Sequence, residues 1–272
     1  MGCREIRAGA VEALTGFFLS WRVPRSYSLF NESMRVALFL FILSQGISSA
    51  EDVRVETILE RHLEAIGADA LREQTSRILV GTLSFPSSSR PAMIEVRALA
   101  PDQMLTRIDH PVLGMSSSGS DGATTWVENP DFGARSQFGR ARRYALEEGR
   151  FYRDAEIRER YKNWAFVGRG SIDGHDVFHL SATDVLDEPV DFYIDRETHW
   201  LLRLETSHWA GETTDRLVYE MSEYREIDGF WTPFRVALIA PEVIAFELTV
   251  ERIEFGVVHP PSTFVPPENL RE

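Results

Sequence analysis

Residues 243–255 read VIAFELTVERIEF. In an extended chain successive side chains point to opposite sides. Ile244, Phe246, Leu248 and Val250 therefore share one face, and Glu247, Thr249 and Glu251 share the other. The apolar set then jumps to Ile253 and Phe255, an odd step that predicts a bulge or a strand end. The same alternation runs outward from this stretch. Leu217, Tyr219 and Met221 share a face of 215–226 before Glu223 and Arg225, and Trp200, Leu202, Leu204 and Thr206 oppose Arg203 and Glu205. A sheet of such strands has one dry and one wet face.

Further strands are predicted at 77–85, 93–98, 103–109, 124–127, 164–171, 175–183, 190–194 and 230–239, about eleven in all. Asp121-Gly122, Asp173-Gly174 and Asp228-Gly229 punctuate them. Asp-Gly between β-rich segments is a hairpin signal, because both central residues of a type I′ turn need positive φ. With almost no helix between strands, βαβ units are excluded, and the chain reads as one antiparallel meander.

Helix is expected in two places. Over 53–66, Val55, Ile58, Leu59, His62, Leu63 and Ile66 recur at helical spacing, with Gly67 in the C′ place. Asp69 is placed to cap a short second helix through about Gln74. Residues 134–161 are rich in Arg and Glu, with Glu156 and Arg160 four apart; they predict a long, partly helical excursion. A sheet this long must cover its dry face by packing on a second sheet, closing, or curling around helices. Only these segments are available as cover. The interior is then either an apolar cavity or a space filled by the chain's own side chains.

The 272-residue chain carries a net charge of −13. Residues 1–50 hold five arginines and three glutamates, so the remainder has 24 basic against 39 acidic groups, about −15. That balance argues against nucleic acid, whose phosphates demand a basic face, and against simple attraction to anionic headgroups. Residues 34–50 read as a secretory signal peptide: Arg35, the apolar run VALFLFIL, then Ser48-Ser49-Ala50. Eight apolar residues are too few to span a bilayer, which takes about 20 in a helix. Met34 is the expected initiator, with 1–33 an extension from a mis-assigned start; a long n-region is the alternative. Residues 51–272 are the expected single domain, exported to the periplasm. The one cysteine, Cys3, precedes the signal, so the mature chain is expected to have no disulfide, thiol catalyst or lipidated N-terminus.

No catalytic constellation emerges, and no cofactor is implied. His175 and His179 lie in a strand, roughly 13 Å apart along one face, too far to share a metal. His199 in a turn and His208 near a strand end are both expected to be solvated. Asp187, Glu188 and Asp191 flank Pro189 in what reads as a solvated turn, and Asp109, His110 and Asp121 form no triad. No zinc HExxH, phosphate loop or nucleophile elbow is present.

The order of features nevertheless carries a resemblance. A signal peptide leads into a helix ending Leu63-Glu64-Ala65-Ile66-Gly67, then Ala70-Leu71, then Ile78-Leu79-Val80-Gly81-Thr82-Leu83. Asp121-Gly122 with Trp126, Ile172-Asp173-Gly174, Phe192-Tyr193-Ile194-Asp195 and Ile227-Asp228-Gly229 with Thr232-Pro233 follow, and Thr263-Phe264-Val265-Pro266 closes the chain. Over residues 53–267 this resembles the outer-membrane lipoprotein-sorting proteins, the group similar to the periplasmic lipoprotein carrier LolA.

The resemblance implies a mainly β fold, a half-open antiparallel barrel with an N-terminal helix and a lid, holding acyl chains in an apolar interior. The function implied is non-enzymatic: a periplasmic carrier or sensor of lipoprotein acyl chains or another lipid, with an inner- or outer-membrane receptor as its expected partner, in a chain expected to be monomeric. The cavity-lining candidates are Phe192, Leu202, Leu204, Tyr219, Met221, Phe234, Phe246 and Leu248. The other reading is an envelope interaction module that docks a partner through 134–161.

Overall fold

The computed structural model describes residues 54–209, 214–240 and 245–271. Thirteen strands form one antiparallel sheet: β1 (Ser76–Ser84), β2 (Ala92–Leu99), β3 (Gln103–His110), β4 (Gly114–Asp121), β5 (Thr125–Asn129), β6 (Gly133–Ser136), β7 (Lys162–Ile172), β8 (His175–Thr183), β9 (Pro189–Asp195), β10 (Leu201–Trp209), β11 (Thr214–Ile227), β12 (Phe230–Ile239) and β13 (Phe246–Phe255). Helix α1 (Val55–Ala65) and the short α2 (Ala68–Arg72) precede them, while α3 (Gly139–Glu148) and α4 (Ile157–Arg160) lie between β6 and β7.

The spatial order is β6-β5-β4-β3-β2-β1-β13-β12-β11-β10-β9-β8-β7. Two meanders, β1–β6 and β7–β13, are thus joined where the first strand pairs with the last. The sheet is not closed: its edges are β6 and β7, and the segment holding α3 and α4 runs from one to the other as a strap. This is a half-open barrel, mainly antiparallel β, as expected.

Two strands escaped the sequence reading. β6 is only four residues long. β4 has the sequence GMSSSGSD, poor in β-branched and aromatic residues. It pairs fully with β3 and β5 all the same, because its small residues make room for a neighbour. The indole of Trp126, 1% exposed, lies across Gly119, where a Cβ would come within 2.2 Å of it.

The irregularity predicted in 243–255 is present. Val80 pairs Arg252 but Gly81 pairs Val250, so Glu251 is the extra residue of a bulge. The first part of that stretch, Val243 and Ile244, lies outside the described residues, as does the whole signal segment.

Asp173-Gly174 and Asp228-Gly229 both have positive φ at the two positions, the type I′ signature. Asp121-Gly122 differs. Only the glycine has positive φ, and the Asp121 carboxylate instead accepts the N–H groups of Ala123 and Thr124 at 2.8 and 2.6 Å, an Asx turn. Asp69 does not cap α2, whose N-cap is Gly67 with no side-chain bond; it takes a hydrogen bond from Arg72 at 2.6 Å. Nor do Glu156 and Arg160 pair with each other: Glu156 binds Arg150 and Arg160 binds Glu147.

Helix α1 lies on the dry face. Ile58 and Leu59 pack against Leu180, Phe192 and Ile194 of β8 and β9. At its far end Ile66 and Leu71 pack with Ala98, Phe151, Ala155 and Phe230. Gly67 seats this end, with φ of 69° and the Gly229 carbonyl so close that a Cβ would be 1.9 Å away; the Trp231 N–H donates to the Ile66 carbonyl at 2.8 Å. On the opposite face the C-terminal segment covers Leu105 and Trp126 with Phe264 and Leu270, and Arg271 exchanges backbone bonds with Ala134 and Ser136 along the β6 edge.

Candidate functional site on the concave face

Strand register gathers most of the apolar candidates. Phe192 pairs Leu204, Leu204 pairs Tyr219, Tyr219 pairs Leu238 and Leu238 pairs Phe246, one row across five strands. The adjacent row runs Met221, Val236, Leu248 and Leu83. Leu202 and Phe234 stand two residues from Leu204 and Val236 on the same strands.

These residues do not share one environment. Phe192 is 1% exposed, under α1, with the rings of Tyr161 and Trp164 at 4.8 and 4.7 Å. Phe234 is buried with Val250 and Ile253, and Arg225 lies 4.5 Å above its ring. Leu204, Tyr219, Met221, Val236, Phe246 and Leu248 are only half-buried, as is Leu202. They form a strip from β10 to β13, interrupted by the buried Leu238, beside the space that α1 fills.

The strap borders this strip with charge. Arg150 pairs Glu147 at 3.7 Å and Glu156 at 2.6 Å, Arg160 pairs Glu147 at 3.5 Å, and Arg153 pairs Glu148 and, at 3.4 Å, Asp154. The turn over 151–155 is fixed to the sheet and to α2. The Phe151 N–H donates to Pro101, the Tyr152 hydroxyl to the Gln74 carbonyl, and Arg72 to the Ala155 carbonyl. Phe151, Ala155 and Ile157 of the strap are buried in the core.

Burial raises the Tyr219 hydroxyl well above the usual tyrosine range and raises that of Tyr161, with the carboxylate of Glu148 adding to both, Arg153 opposing both and Arg160 opposing the shift of Tyr161. Tyr224 is raised too, by burial and then by Asp154, although its hydroxyl donates to the Leu201 carbonyl at 2.6 Å. Partial desolvation pushes the Asp154 carboxyl up, but Arg153, Arg77, Arg160 and His62 together outweigh it and hold the group below its usual range. His62, which is buried, is lowered by desolvation.

The remaining polar candidates have structural partners. His175 meets Asp195 at 3.1 Å, and His179 meets Asp191 at 2.8 Å while stacking on Tyr193. Among the described residues no three His, Cys, Asp or Glu side chains converge as a metal set. Glu188 of the supposed solvated turn receives Arg140 at 2.5 Å. His199 is not solvated as expected: its Nε2 is buried and its carbonyl accepts the Nδ1–H of His62 at 2.8 Å. Its turn was legible, but not that α1 would lie over it. His208's side chain lies outside the described residues. Sequence reasoning also missed Arg77 and Asp154, since a lone Arg in a strand and an Asp in a charged stretch give no signal.

No family model and no curated protein matches this sequence significantly. Solved structures do. A DUF1329 family protein from Desulfovibrio piger aligns with a TM-score of 0.54 at 14% identity, covering 76% of this chain and 96% of that one. A LolA superfamily protein from Nitrosomonas europaea gives 0.54 at 15%, covering 78% and 97%. A domain named for outer membrane lipoprotein sorting, from Vibrio parahaemolyticus, gives 0.55 at 15%, with the same coverage. The fold is LolA-like. Identity this low speaks to the fold alone, so what the LolA-like sheet does here must be argued from its own concave face. No helix among the described residues is long and apolar enough to cross a membrane.

Proposed function

We propose that the protein is a non-enzymatic carrier or sensor of a lipid, acting in the periplasm after export by the segment 34–50, with 51–272 as its working domain. One observation carries the reading: the half-buried strip Leu204, Tyr219, Met221, Val236, Phe246 and Leu248 on a face otherwise packed dry. An acyl chain laid there gains roughly 25 cal/mol per Å² of apolar surface removed from water. Such binding needs shape and desolvation more than polar specificity. Lipoprotein acyl chains and other lipids both satisfy this chemistry, and a membrane receptor could load or unload them.

The burial of Phe151, Ala155 and Ile157 favours a strap that belongs to the core over one that docks a partner through 134–161. The LolA-like fold supports the carrier reading, as does the order of targeting features in the sequence.

Replacing Leu248 or Phe246 by Arg is expected to abolish uptake of a fluorescent fatty acid while the far-ultraviolet circular dichroism stays β-type. Uptake equal to wild type in both variants would remove this strip as the binding surface. Native mass spectrometry of protein taken from periplasm should show co-purifying lipid.

A further inference from the structure

Asp154 is a carboxylate among cations, yet it accepts no hydrogen bond from any described residue. Its single ion pair is the 3.4 Å contact with Arg153, next to it in the chain, and 40% of its side chain remains solvent-accessible. Arg77 is the complementary case. Register places it on the concave face beside Ala98 and Phe255, and its guanidinium lies 5.4 Å from the Phe151 ring centroid. Its Nε is buried without a partner, and no described residue ion-pairs with it. The turn that bears Asp154 is pinned beside Arg77 by the bonds of Phe151, Tyr152 and Ala155, and the two groups feel each other electrostatically.

Charge sharpens this. Arg77, Arg150, Arg153 and Arg160 face Glu147, Glu148, Asp154 and Glu156. Glu148 and Glu156 are held in short Arg pairs within the strap, and Glu147 is bracketed by Arg150 at 3.7 Å and Arg160 at 3.5 Å. Asp154 alone has no partner but its chain neighbour, and setting it aside leaves one uncompensated positive charge. A buried guanidinium N–H without an acceptor is costly, and charge-assisted bonds to a carboxylate or phosphate are the strong way to satisfy it. The site also adjoins the apolar strip, because Phe255, opposite Arg77 in the register, packs on the same Phe234, Val250 and Ile253 cluster as Leu248 of the strip.

We propose that the ligand is an amphiphile with an anionic head, that Arg77 binds that head, and that Asp154 is the built-in anion which the head displaces. This deepens the carrier reading and rests on it: the chain lies on the strip and the head lies at the strap. A neutral lipid would leave Asp154 in place and Arg77 unsatisfied.

The test measures displacement of the neutral probe N-phenyl-1-naphthylamine from the purified protein by dodecanoate, dodecyl phosphate and methyl dodecanoate. The wild type should bind at least one of the two anions about tenfold more tightly than the ester, the span of one charge-assisted bond; the tighter anion assigns the head as carboxylate or phosphate. Arg77→Gln should collapse the anion-to-ester ratio, Arg77→Lys should restore part of it, and Asp154→Asn should widen it several-fold. A structural role would move all ligands together and leave the ratio fixed. Equal wild-type affinity for the anions and the ester would overturn the head-group proposal while leaving the carrier reading intact. If none of the three displaces a probe that binds, or the probe itself fails to bind, the carrier reading falls and this proposal falls with it.

Discussion

The two flanks of the concave face come from the same kind of sequence and end in different states. Over β8 and β9, Leu180, Phe192 and Ile194 are 0–1% exposed because Ile58 and Leu59 of α1 lie on them. Over β11 to β13, Tyr219, Met221, Val236 and Leu248 alternate just as cleanly and remain half-buried. None of them packs in the clusters that α1 builds; the strap lies near Tyr219 and presents Arg and Glu there. Alternation in a strand therefore decides which face is dry, while the placement of one amphipathic helix decides which part of that face is core and which is surface for a guest.

The largest effect should separate the flanks by stability. Phe192→Ala removes a ring enclosed by α1, Tyr161 and Trp164, a change that costs about 3–5 kcal/mol in well-packed cores. Urea unfolding should show it as a lowered midpoint with an unchanged slope. A loss under about 1 kcal/mol would mean that this flank is as loosely filled as the other.

The extent to which this contrast was legible in the sequence follows from the physics of each feature. The dry face was legible strand by strand, since period-two patterning and Asp-Gly turns are local properties, and even the bulge at Glu251 left its odd step. β4 was not legible, because its serines and glycines are there to fit Trp126, a contact across strands. Of the eight candidates, Phe192 and Phe234 could not be told apart from Met221 or Leu248 by pattern. What distinguishes them is the path of α1 and the packing of neighbouring strands. The charged centre left the least trace. Arg77 and Asp154 are 77 positions apart, and only the strap's crossing from β6 to β7 brings them near each other.

His62 offers a subtler probe of the filled flank. It sits on α1, 4% exposed, with Nδ1–H donating to the His199 carbonyl. Burial lowers its pKa, against the raising influence of that bond and of Asp154 and with the lowering influence of His199. Protonation therefore favours the unfolded chain: the stabilisation is complete above the ordinary value of 6.5 and is lost as pH falls below it. The slope can reach about 1.4 kcal/mol per pH unit. The Asp154 carboxyl, also held low, acts in the same direction but only near and below its ordinary 3.8, so the two windows are separable. Unfolding free energy measured between pH 7 and 5 should decline in the wild type and decline less in His62→Gln. Parallel curves would place the proton uptake elsewhere.

The smallest change in stability should accompany a clear change in binding. Met221 stands in the register row of Val236 and Leu248, next to the row of Leu204 and Tyr219, half-buried and outside the clusters that α1 builds. Met221→Ser should alter unfolding free energy by no more than about 1 kcal/mol, the range for changes away from a packed core. If an acyl chain lies on the strip, the same substitution removes two or three methylene-sized contacts at about 0.8 kcal/mol each, so fatty-acid affinity should fall about tenfold or more. Phe192→Ala, assayed well below its melting temperature, should do the reverse, with a large loss of stability and little loss of affinity. The comparison of flanks rests on that crossed pattern. Two variants that lose stability and affinity in the same proportion would show that the strip is ordinary core whose cover is merely thin.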